Sequence, residues 1–96
     1  MISLHYSLCS TAGLQVVTDT PDDAASALVR HLSEVCRGGA VDWMITGPEG
    51  RIHHGRFEPP SGQPASIAVA DHVDAVHGQL LRDAARSMTA GLSTRR

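Results

Sequence analysis

Residues 40–58, AVDWMITGPEGRIHHGRFE, decide how the rest of the chain is read. Two arms that alternate apolar and polar side chains flank Gly47-Pro48-Glu49-Gly50, the period-2 pattern of strands facing a core on one side and joined by turn-forming residues. The segment is expected to be a β-hairpin, and it carries the only Trp and the only Phe. Closed across the four turn residues, the arms pair Ile45 with Ile52, Trp43 with His54 and Val41 with Arg56 on one face. Met44 with His53 and Ala40 with Phe57 form the other. Both faces then have apolar character, so helices should cover one and a partner the other. A slip of one residue would exchange them.

Immediately upstream lies the best helix signal in the chain. Thr20 can N-cap, Pro21 suits the first helical position, and Asp22 and Asp23 place carboxylates at the positive end of the helix dipole. Ala25, Leu28, Val29, Leu32, Val35 and Cys36 then draw one apolar stripe, and Gly38-Gly39 supplies the stop. Further upstream, Ile2, Leu4, Tyr6 and Leu8 alternate with Ser3, His5 and Ser7. That is a strand with one buried face. A turn cluster at Ser10–Gly13 and a β-prone run at Leu14–Thr18 complete an opening hairpin.

Downstream, Pro59-Pro60-Ser61-Gly62-Gln63-Pro64 reads as a loop. Ala65–Ala70 is expected as a short strand and Asp71 as the N-cap of a helix over 72–90, with Val73, Val76, Leu80, Leu81, Ala84, Ala85 and Met88 as its stripe; a single long helix from Pro64 is the alternative. Residues 91–96 read as a frayed polar tail. The order ββα-ββ(β)-α predicts an α+β two-layer sandwich, an antiparallel sheet of four or five strands with two helices on one face. It occupies residues 1–90 as a single domain.

Composition narrows the function classes. A chain of 96 residues has one core and no room for a separate catalytic lobe. With aromatics at only 3%, that core is built from aliphatic side chains, and so small a domain gains from burial against a second copy or a partner. All 8 basic residues are Arg, a bias that a GC-rich bacterial or phage genome would produce. The net charge of −2 does not favour nucleic acid or an anionic membrane, although protonating the 6 His near ~6.5 would bring it to +4. No apolar run approaches membrane-spanning length, and the N-terminus lacks the basic and apolar regions of a signal peptide, so a cytoplasmic setting is expected.

The residues that suggest chemistry do not assemble into a site. Adjacent His53 and His54 on a strand point to opposite faces and do not share a metal ion. His72 and His77, five apart, miss the i, i+4 spacing of helical ligands; Asp74 with His77 makes at most half a site. Cys9 and Cys36 have no flanking nucleophile signature, and no phosphate-binding glycine loop is present. Arg51, Arg56, Arg82 and Arg86 could form an anionic-partner surface, whose binding would depend steeply on salt. No catalytic residue, metal or cofactor is assigned.

The reading is a non-enzymatic, regulatory protein-interaction module, self-associating as a homodimer. It binds a protein through the sheet face or the edge of the 40–58 hairpin, with Trp43, Met44, His53, His54, Arg56 and Phe57 as contact residues. Two alternatives stand beside it: a phage- or mobile-element-encoded inhibitor or immunity protein, and a small metal- or anion-dependent enzyme using His53 or His54 with Asp74 and His77.

Overall fold

The computed structural model describes residues 5–35 and 39–93, with the backbone alone over 87–93. Strands β1 (Tyr6–Ser10) and β2 (Gln15–Thr18) precede helix α1 (Pro21–Val35); strands β3 (Val41–Thr46) and β4 (Ile52–Phe57) precede helix α2 (Ala65–Ser93). The described strands form one antiparallel sheet in the order β2-β1-β3-β4. Two hairpins thus lie side by side, and the helix after each one packs on the same face. The result is the expected α+β two-layer sandwich, with four strands.

Helix α1 begins as its sequence dictates. Thr20 Oγ1 accepts the Asp23 N–H at 3.0 Å and the Thr20 carbonyl accepts the Ala24 N–H at 3.1 Å, which satisfies donors that no preceding turn can reach. Its buried stripe is Ala24, Ala25, Leu28, His31 and Leu32, slightly rotated from the expected one. Val29 turns toward α2 and remains 37% exposed, while His31 takes an inward position because Ser10 on β1 gives it a hydrogen-bond partner. Gly39 has φ +111°, the left-handed conformation expected after the helix; Cys36 and Gly38 lie outside the described residues.

The second helix corrects the sequence reading. Ala65–Ala70 is its first turn and a half, and Asp71 is an exposed residue within it. The Pro64 carbonyl accepts the N–H groups of Ile67 at 3.2 Å and Ala68 at 3.3 Å, so the helix starts directly after the loop. Val69, Val73, Val76 and Leu80 fall on one stripe at i, i+4, i+7 and i+11, all buried. The β-branched Ile67 and Val69 suggested a strand, but only Val69 faces the core; Ile67 is 50% exposed. α2 continues to Ser93, so 91–93 are helical where a polar tail was expected.

The central hairpin is displaced by one residue from the expected register. Val41 pairs with Phe57, Trp43 with Gly55, Met44 with His54 and Ile45 with His53. The turn has three residues rather than four: the Gly47 N–H reaches the Arg51 carbonyl at 2.7 Å, and Pro48, Glu49 and Gly50 loop between them. Glu49 at φ 61° and Gly50 at φ 74° both adopt left-handed backbone, which reverses the chain in an odd number of residues. Packing selects the same register. A Cβ at position 55 would stand 2.7 Å from Trp43 Cζ2, so glycine is required where the indole crosses β4. Trp43 and Phe57 consequently share the helix-facing side with Tyr6, Leu8 and Ile45.

Candidate functional site

The register assigns every strand residue to a side. Facing away from the helices are two rows that cross the whole sheet: Val17, Ser7, Thr46 and Ile52, then Gln15, Cys9, Met44 and His54. Asp42 and Arg56 pair at the end of the face. Val17 is 63% exposed, Ile52 57% and Met44 38%, whereas the inward Leu8, Trp43 and Ile45 are at most 5% exposed. A shallow depression of about 360 Å³ runs across Cys9, Val17, Met44 and Thr46. Apart from Asp42 and Arg56 the described residues of this face include no carboxylate or guanidinium, and Arg56 Nε is engaged by Glu58 at 3.2 Å. Cys9 is a free, half-buried thiol at its centre.

The opposite side of the sheet is tied to the helices by imidazoles. Ser10 Oγ accepts the N–H groups of Ala12 at 3.1 Å and Leu14 at 3.2 Å, which leaves its hydroxyl to donate to His31 Nε2 on α1 at 2.6 Å. Trp43 Nε1–H donates to His72 Nε2 on α2 at 2.9 Å, with the indole and the Phe57 ring both edge-on to the imidazole. His53 Nε2 hydrogen-bonds Asp83 Oδ2 on α2. His77 on α2 donates to Asp22 on α1 at 2.6 Å. Each histidine satisfies a polar group where two elements meet. Tyr6 Oη, buried beneath the sheet, has no hydrogen-bond partner among the described residues; burial first, and the Asp83 charge second, raise its pKa.

His72 contributes an acid response of its own. Indole N–H can only donate, so His72 Nε2 must be a bare acceptor and the ring neutral. Burial lowers its pKa from the ordinary imidazole value. The unfolded chain therefore binds the proton more readily than the folded one, and this part of the stability is intact above ~6.5 and is lost as pH falls through the lower folded value. Urea unfolding followed by Trp43 fluorescence should give midpoints that fall across that acid window. The His72→Gln variant, which keeps an acceptor but does not titrate, should show a weaker pH dependence; an equal dependence in both proteins would assign the effect elsewhere.

Of the six expected contact residues, the structure brings Met44, His54 and Arg56 together on the outer face and places Trp43, His53 and Phe57 on the inner one. Trp43 and Phe57, at 5% and 3% exposure, belong to the core and cannot serve as surface contacts. The cause is the three-residue turn. Sequence reasoning missed Ile52 and Val17 on the outer face, and Asp83 as the partner of His53. Asp83 lies three residues after Leu80 on the buried stripe, and a carboxylate there signals a cross-layer partner.

His53, His54, Asp74 and His77 do not converge. His53 meets Asp83 and His54 lies on the outer face; Asp74 and His77 line an open groove of about 510 Å³ between the helices. Among the described residues no three His, Cys, Asp or Glu side chains are grouped to hold a metal ion, and no described helix is long and apolar enough to cross a membrane. No family model, curated protein or solved structure matches this chain.

Proposed function

We propose that the protein is a small, non-enzymatic interaction module that self-associates and docks protein partners through the outer side of its sheet, centred on the 40–58 hairpin. One observation carries this reading: both helices cover the same face, leaving Val17, Met44 and Ile52 exposed on a nearly uncharged surface. Such a surface suits another protein better than a phosphate backbone, which rewards clustered positive charge. A domain of this size also gains more from association than a large one does.

Sedimentation velocity over a wide concentration range tests the reading on the purified chain. The mass should rise with concentration, and Met44→Asp with Ile52→Asp should hold the protein monomeric without changing its circular dichroism. Leu81→Asp, a charge placed on the exposed side of α2, serves as the control and should leave association intact. A chain that stays monomeric throughout, or one dissociated by Leu81→Asp instead, would remove the proposal.

A further inference from the structure

The 6 histidines fall into two groups. His5 meets Asp19 at 3.3 Å, His31 the Ser10 hydroxyl, His53 Asp83, His72 the Trp43 indole and His77 Asp22. His54 stands apart. It is exposed on the outer face of β4, and its ring has no hydrogen-bond or ion-pair partner among the described residues.

The ladder sets what surrounds it. Hydrogen-bonded pairs alternate in an antiparallel sheet, and the bond from Gly47 N–H to the Arg51 carbonyl assigns the odd-numbered residues of β3 to such pairs with β4. Met44 and His54 therefore form a non-hydrogen-bonded pair, roughly 4.5 Å apart at the Cα atoms, the arrangement in which facing side chains lie closest. Ile52 and Arg56 flank His54 along β4 on the same face. Thr46 and Asp42 lie diagonally on β3, roughly 7–8 Å away. Arg56 Nε is engaged by Glu58, and Cys9 on β1 lies beyond Met44 in the same row. Among the described residues no carboxylate touches His54, while a guanidinium shares its strand and face.

We infer that protonation of His54 switches self-association off: copies dock through this face with a neutral imidazole and separate when mild acid gives it a charge. This rests on the interaction-module reading above and supplies its regulation.

The direction follows from burial. A neutral imidazole beside Met44 and Ile52 is covered at modest cost, whereas an imidazolium loses its hydration with no carboxylate to replace it. The docked state then holds the proton less tightly than the free chain, so docking releases it. Association is complete above the ordinary imidazole value of ~6.5 and is lost as pH falls below it. Two copies bring two His54 residues into one interface, so the dependence approaches two protons per dimer; a foreign partner would leave one.

Sedimentation velocity at pH ~7.5 and ~5.5, one unit either side of that value, reads the switch. Circular dichroism at each pH shows whether the chain is folded, which separates this effect from the acid response of His72. Wild-type association should weaken at least about tenfold in acid. His54→Gln should give one dissociation constant at both values, whatever that constant is. His54→Arg, permanently charged, should already be at least about tenfold weaker than wild type at pH ~7.5. His5 precedes Ser7 and Cys9 in the same alternation, at the margin of the face, so His5→Gln should leave the pH dependence in place. Association that is equal or stronger in acid, a dependence that survives in His54→Gln or vanishes in His5→Gln, or normal association of His54→Arg overturns the switch, and docking through the face survives. A monomer at every concentration and pH overturns both. The His54→Arg comparison stands on its own should the chain unfold in acid.

Discussion

Trp43→Ala is expected to cost about 3–5 kcal/mol of folding stability, a large share of the roughly 5–15 kcal/mol available to a domain. The indole is 5% exposed and sits where the two layers meet. It crosses β4 above Gly55, where no Cβ could stand, and donates to His72 on α2. Truncation opens a cavity that Gly55 cannot fill and leaves His72 without its donor among aromatic edges. Urea unfolding followed by circular dichroism measures the loss, since the variant has no Trp. Trp43→Phe separates the two contributions: it keeps most of the ring and should lose about 1–3 kcal/mol, the cost of an unpaired buried polar group. Wild-type stability in the alanine variant would mean that the hairpin is not packed in this register.

The second large effect belongs to Asp83. Its side chain is 12% exposed and that of His53 17%, so the pair is partly shielded from water without being dry. Leaving a buried hydrogen-bonding group unpaired costs about 1–3 kcal/mol, and more where the partner is charged, so Asp83→Ala, which strands His53, should cost about 2–3 kcal/mol. Replacing both groups by apolar ones, Asp83→Leu with His53→Phe, should recover much of that loss, because neither is then left unpaired.

Tyr6, the only tyrosine, gives an independent readout. The Asp83 charge is the second cause of its raised pKa, so Asp83→Asn should bring the phenol's absorbance titration down toward the ordinary value while burial keeps it above. An unmoved titration would place Asp83 away from the tyrosine.

The parts of this fold that local chemistry determines could be read from the sequence. Thr20-Pro21-Asp22-Asp23 announces α1 because capping, a fixed φ and the helix dipole all act within one turn. The alternation around Tyr6 and Leu8, and that of both arms of the central hairpin, marked strands for the same reason. The misreadings came from choices settled at longer range. Ala65–Ala70 is compatible with a strand or a helix, and it becomes helix because Val69 continues the stripe of Val73 and Val76 against the core. The hairpin register turned on whether the loop had four residues or three, a difference set by the backbone at Glu49 and by the space the indole needs at Gly55. Met44, His54 and Arg56 belong to the outer surface in the folded register. Trp43 and Phe57 could have been assigned to the core by asking which residue can lie opposite an indole, and Gly55 was the only one in that arm without a side chain.

The three-residue turn at Pro48–Gly50 also limits how this gene can vary. Surface turns usually absorb insertions and deletions with little effect. Here, adding or losing one residue changes the parity of the hairpin: it would drive His54 and Arg56 toward the helices and expose Phe57. Descendants of this sequence should therefore accept substitutions at Glu49 more readily than any change in turn length. Tolerated changes of length should come in steps of two.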